Sequence, residues 1–97
     1  MTRCYLCRQR DEKLDLHHIF YGALREKSNY YGCVVKLCHS RCHVFGPNSV
    51  HVNHEVDLAL KKRCQKVLML REGWTKAQWI QEFYKNYLED EELKDVT

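Results

Sequence analysis

The sequence is short of the features that mark whole classes of protein. One proline and four glycines in 97 residues exclude a collagen-like or Pro/Gly-rich disordered chain. No run approaches the stretch of about 20 apolar residues that a membrane-spanning helix needs. The first thirteen residues, MTRCYLCRQRDEK, are polar and basic and hold nothing like the apolar region of a signal peptide. The expectation is a cytoplasmic protein with no membrane partner. Internal repeats, long linkers and low-complexity segments are also missing. Residues 1–97 therefore read as one small domain, near the size at which a single apolar core is just sufficient.

What is present in excess is sulfur and imidazole: six cysteines and six histidines. In a reducing compartment disulfides do not persist, so metal binding is the better account of the cysteines. Charge is uneven too. Residues 89–97 (EDEELKDVT) hold five acids against Lys94 and carry −4, so the rest of a +3 chain carries +7. A basic body suits a polyanionic partner such as nucleic acid.

The first half reads as irregular, with strand-like runs at residues 14–20 (LDLHHIF) and 33–37 (CVVKL). In the first run Leu14, Leu16, Ile19 and Phe20 read as the buried side. Residues 45–49 (FGPNS) have the chemistry of a turn. The second half reads as helical. Asn53 suits an N-cap, with Glu55 and Asp57 in the first turn. Val56, Leu60, Cys64, Val67 and Leu68 draw an apolar stripe that Lys61, Lys62 and Lys66 largely avoid, and Gly73 ends it. Thr75 opens a second helix, with Gln78 completing a capping box. Trp79, Ile80, Phe83, Tyr84, Tyr87 and Leu88 are expected on its buried face. The division is a core over residues 1–52, a helical extension over 53–90, and a disordered acidic tail over 91–97.

Cys4-Tyr-Leu-Cys7 is a C-x2-C pair and Cys38-His-Ser-Arg-Cys42 a C-x3-C pair. Two such knuckles can present four thiolates to one tetrahedral Zn²⁺, whose binding supplies folding free energy that so small and irregular a half cannot get from apolar burial. His39 or His43 stands close enough in sequence to replace one thiolate. Cys33, in a strand, and Cys64, on the apolar stripe, read as small core residues.

In order, the first half runs Cys4-x2-Cys7, Leu16-His17-His18-Ile19, Val34-Val35-Lys36-Leu37-Cys38, then Cys42-His43. This order resembles the HNH endonucleases, whose ββα-metal core is often buttressed by a four-cysteine zinc site. The segment LHHIFYGALREKSNYYGCVVKLC, followed by CH and SVHVN, is similar to the small HNH proteins of bacteriophages and prophages. The resemblance spans residues 4–55. It implies an α+β fold with a zinc-stapled ββα-metal core and C-terminal helices. The implied activity is metal-dependent hydrolysis of DNA phosphodiester bonds, nicking or cutting double strands in phage DNA processing. The implied setting is the host cytoplasm, alongside packaging or recombination proteins.

Carried onto this sequence, the family's pattern makes His18 the general base. His17 and His43 become ligands of a catalytic divalent ion (Mg²⁺, Mn²⁺ or Ni²⁺), and Cys4, Cys7, Cys38 and Cys42 hold the structural zinc. His51, closely following the turn, is a further candidate near the catalytic ion, whereas His54 reads as part of a helix cap. The pattern's middle Asn, expected about five residues before the second knuckle, is replaced by Cys33. Asn29, Asn48 and Asn53 all stand off that position. Adjacent residues of a strand face opposite ways, so His17 and His18 serve one site only if the strand bends there. The competing reading is a non-catalytic zinc module that binds DNA or a protein, with the helix over residues 53–71, and Lys61, Lys62 and Lys66 on it, as the DNA contact. A thioredoxin-like redox role for Cys4-x2-Cys7 is poor, because no βαβ pattern accompanies it.

Overall fold

The computed structural model describes residues 3–10 and 13–94. The chain is α+β: a two-stranded antiparallel hairpin carrying the cysteine and histidine clusters, backed by helices. Strand β1 (Leu14–His18) pairs with β2 (Val34–Cys38), Leu14 opposite Cys38 and His18 opposite Val34. Between them, a single 3₁₀ turn (Gly22–Leu24) runs into helix α1 (Arg25–Tyr31). Gly32, at φ 76°, ends α1 in the left-handed conformation that glycine adopts without strain. Ser28 is buried on α1 and ties it to the end of β1. Its hydroxyl donates to the Phe20 carbonyl at 2.6 Å and accepts from the Phe20 amide at 3.1 Å.

Period-two alternation puts Asp15 and His17 on one face of β1 and Leu14, Leu16 and His18 on the other. The face that is covered at its centre is the histidine's. His17 is 3% exposed, while Leu16, expected inside, is 51% exposed. The buried apolar residues of this run are Ile19 and Phe20, which lie beyond the strand. There β1 ends and the chain bends, with the Ile19 amide on the Cys33 carbonyl.

After β2 the chain makes a wide π-helical turn, His39–Val44, with the Phe45 amide reaching the Ser40 carbonyl five residues back at 2.8 Å. Gly46 follows because nothing larger fits: a Cβ there would lie 2.1 Å from the Arg41 carbonyl oxygen. The reversal over residues 45–49 then brings the Val50 amide onto the Cys42 carbonyl at 2.9 Å.

Helix α2 (His54–Glu72) begins and ends as its sequence predicts. The Asn53 side chain accepts from the amides of Glu55 and Val56, and Gly73 closes the helix at φ 67°. Leu60 and Leu68 face the core with Met69, but Val67 is 49% exposed and leaves the expected stripe. Buried Gln65 takes the inward place at that turn. Its amide nitrogen donates to Asn86 Oδ1 and its oxygen accepts the Tyr87 amide, so the segment after α3 is pinned to α2. Helix α3 (Lys76–Phe83) carries the Thr75/Gln78 capping box.

Helix α3 stops earlier than its aromatic pattern suggests. Tyr84 sits at φ 69° and is exposed, while Tyr87 and Leu88 reach the core from an irregular segment. Phe20 is the hub of the core, with ring centroids 5.5 Å from Trp79, 4.8 Å from Phe83 and 5.6 Å from Tyr87. Truncating such a buried aromatic costs about 3–5 kcal/mol.

Helix α4 (Asp90–Leu93) occupies part of the acidic stretch read as disordered. Leu93 is buried, and Glu92 pairs with Lys62 and Lys66. The rest of that tail, residues 95–97, lies outside the described residues. No helix among the described residues is long and apolar enough to cross a membrane.

Candidate metal centres

Cys4, Cys7, Cys38 and Cys42 converge, each offering a sulfur within 4.8 Å of the others. Tight turns position them: the Cys4 amide bonds the Gln9 carbonyl, and the Tyr5 amide bonds the Lys36 carbonyl of β2. The N-terminal knuckle is thereby hung on the strand that leads to Cys38. The Cys7 and Cys38 sulfurs are 3.8 Å apart. Two thiolates about 2.3 Å from one tetrahedral ion stand about 3.8 Å from each other. Burial pushes the Cys4 thiol up, yet hydrogen bonds from the backbone of Cys7, Cys38 and Leu6 outweigh it and bring the thiol down to about 6. Cys7 and Cys42 are pushed up, first by burial. Without a cation, then, the four sulfurs cannot all ionise together; a bound cation reverses that. The cluster is compatible with one structural metal ion. Cys33 and Cys64 stand apart from it, in and against the apolar core.

The second cluster is His17, His43 and His51, again with one ligand atom from each within 4.8 Å. The ring centroids lie 5.2 Å (His17–His43), 5.5 Å (His17–His51) and 4.7 Å (His43–His51) apart. His17 comes from β1, His43 from the wide turn, and His51 from the segment that the 45–49 reversal folds back. His43 Nδ1 donates to Asp15 Oδ2 at 2.8 Å, so its Nε2 keeps a lone pair. That Nε2 faces His51 Nε2 at 3.2 Å. Two lone pairs that close require a shared proton or a shared cation, and two imidazole nitrogens about 2.1 Å from one ion stand about 3.0 Å apart in octahedral and about 3.4 Å apart in tetrahedral geometry. His17 Nε2 is buried without a hydrogen-bond partner among the described residues. Burial, then the neighbouring His43 and His51, lower the His17 imidazole to about 4, leaving it neutral and able to donate a lone pair at physiological pH. An orphaned buried nitrogen, a lone pair oriented by a carboxylate, and three converging imidazoles fit a divalent ion.

Asp15 was not singled out in the sequence, where it is simply the polar residue between two leucines. It also accepts from His39 Nδ1 at 2.5 Å, and these two histidine bonds, His39's first, hold its carboxyl below the usual carboxylate range. Its position two residues before His17 is the available signal, since period two puts both on one face.

His18 lies beside the cluster, because the strand ends at that residue. Its Nε2 donates to Asn29 Oδ1 at 2.9 Å, an oxygen that can only accept, so Nδ1 keeps the lone pair. Ser28, locked to Phe20, sets where Asn29 points. Counting back from the second knuckle passed over Asn29 in favour of the place held by Cys33. All four histidines and Tyr21 line an open cleft of about 250 Å³. His54 is the first residue of α2 and lies outside it.

Behind His17, Asp57 is buried and shares one oxygen with Lys61 at 2.8 Å and the Tyr21 hydroxyl at 3.3 Å. The lysines of α2 are therefore engaged within the chain, Lys61 with Asp57 and both Lys62 and Lys66 with Glu92. Set against protein-family models, curated proteins and solved structures, the chain matches none.

Proposed function

We propose that this chain is a metal-dependent DNA phosphodiesterase of the HNH kind, with a structural zinc at the four cysteines. The observation that carries the reading is the convergence of His17, His43 and His51 next to His18, whose ring is oriented by a carboxamide. A structural module has no use for an unpartnered buried imidazole opening on a cleft. The order of hairpin and helical turn, and the placing of His17 before His18, support the ββα-metal reading that the sequence resemblance suggests. Asn29 supplies the hydrogen bond for which no residue stands at the expected place.

In this reading His17, His43 and His51 hold the catalytic divalent ion, Asp15 orients His43, and Cys4, Cys7, Cys38 and Cys42 hold zinc. The ion supplies Lewis-acid stabilisation of charge developing on the phosphate. His18 takes a proton from water at Nδ1, its Nε2–H fixed on Asn29. Imidazole is the side chain whose charge changes closest to cellular pH, which suits the residue type to that task. Tyr21, Asp57 and Lys61 hold the wall behind His17. The basic body attracts DNA, and packaging or recombination proteins are the partners to seek in a phage setting.

The test is plasmid nicking by purified protein with Mg²⁺, Mn²⁺ or Ni²⁺ and with EDTA. The expected result is nicking with at least one ion and none in EDTA. DNA binding without cleavage under every ion would favour the rival, a non-catalytic zinc module.

A further inference from the structure

The histidine cleft carries one side chain that metal binding and base catalysis leave unused. Besides the histidines and Tyr21 it is lined by Leu16, Gly22 and Arg25. No carboxylate is among the lining residues, although Asp15 and Asp57 lie just behind them. Arg25, the first residue of α1, is the one permanent cation in the cleft. Its backbone amide caps the 3₁₀ turn on the Gly22 carbonyl, and its guanidinium makes no hydrogen bond or ion pair with any described residue. Several other cations are engaged, Lys27 with Glu82, Lys61 with Asp57, Lys62 and Lys66 with Glu92, and Arg71 with the Tyr31 carbonyl, and none of these lines the cleft.

A guanidinium is a planar fork of five donors matched to two oxygens of a phosphate, and it loses little freedom for each bond it forms. Leu16 and Tyr21, each about half exposed, give the same cleft apolar walls that limit water around such a contact. A cleft with a free guanidinium on its lip, imidazoles on its floor and no acid in its lining selects for an anion.

We infer that Arg25 is a substrate-binding residue that grips non-bridging oxygens of a phosphodiester seated over His17, His43 and His51. The substrate class is thus a polynucleotide backbone held by its phosphate rather than a neutral ester or amide. This rests on the proposed nuclease reading, and the test separates the two. Dimethyl phosphate, a phosphodiester without base or sugar, is added to the full chain loaded with Mn²⁺, and broadening of its ³¹P resonance is followed. Wild type, Arg25→Gln and Arg25→Lys are compared, with Mn²⁺ affinity measured alongside from the free-ion paramagnetic resonance signal.

The expected result is broadening by wild type, a requirement for about 10- to 100-fold more Arg25→Gln protein for the same broadening, and partial retention in Arg25→Lys, with Mn²⁺ affinity unchanged. Equal broadening by wild type and Arg25→Gln, no broadening by wild type, or a fall in Mn²⁺ affinity in Arg25→Gln would each overturn the inference. A second arm follows single-turnover cleavage of a duplex oligonucleotide. If wild type broadens the resonance in an Arg25-dependent way but never cuts, the phosphate site stands and the nuclease reading falls. If wild type cuts and Arg25→Gln cuts equally fast, the nuclease reading stands and the Arg25 inference falls.

Discussion

Two clusters hang on one turn of chain and differ in how they are closed. Cys38 and Cys42 turn toward the N-terminal knuckle, and the residues immediately after them, His39 and His43, turn toward Asp15. The cysteine side is closed, with three of its four members buried and four protein donors ready to complete a tetrahedron. The histidine side stays open: His17 is buried, His43 half-buried and His51 exposed, and the cleft above them reaches solvent. Closed four-ligand sites stabilise folds, whereas sites with three protein ligands and a free position do chemistry. In the proposed reading the same backbone serves a staple on one face and a reactive centre on the other.

The strongest way to break this comparison is to open the closed side. Cys4→Ser should release the structural metal and unfold the hairpin half, since structural zinc contributes on the order of 10–16 kcal/mol of apparent free energy in small domains. Cys64→Ser should leave metal content unchanged. Elemental analysis and circular dichroism of freshly purified protein decide both, and a Cys4→Ser protein that keeps its metal and its fold would refute the assignment.

On the open side, His18→Ala should lower cleavage by about 10²–10⁴-fold while Mn²⁺ affinity holds. Cleavage at the wild-type rate would remove His18 from the chemistry. His17→Ala and His43→Ala should instead weaken the divalent ion, with excess Mn²⁺ restoring part of the activity and the cysteine-bound metal untouched. Asp15→Asn acts only through His43 and its neighbour His39, and should weaken Mn²⁺ by about 10- to 100-fold, the usual effect of losing an outer carboxylate. Isothermal titration orders the three; a wild-type affinity in Asp15→Asn would show that the carboxylate serves the fold alone.

The smallest effect is expected at the lysines of α2. Their partners on α4 and in the core already neutralise them, so Lys62→Ala with Lys66→Ala should leave the slope of log affinity for DNA against log salt within about one unit of wild type. A larger drop would put α2 on the duplex, the place that its charge in the sequence suggested.

Several features were legible because their causes are local. The caps of α2 and α3 depend on residues three apart. The knuckle pairs need only tight turns, and the reversal over residues 45–49 follows from its own Gly, Pro and Asn. Other features misled for equally physical reasons. Apolar alternation pointed to Leu16 as core, but the face of β1 that is covered at its centre is the one that the wide turn after β2 packs against. Aromatic spacing extended α3 beyond Phe83, although burial by Tyr87 and Leu88 is achieved from an irregular segment held by Gln65.

By itself, then, the sequence determined which donors exist and which pairs are neighbours: two thiolate pairs, two adjacent histidines, a Cys-His after the second knuckle, and capped helices. Tertiary structure decided which of them meet. Asp15 reaches His43 only because β1 lies against the wide turn. His51 joins the cluster only because the reversal returns Val50 to Cys42. Asn29 finds His18 only because Ser28 fastens α1 to Phe20. Each of these contacts joins residues eight to twenty-eight positions apart, and pairings of that kind depend on the whole path of the chain rather than on any window of it.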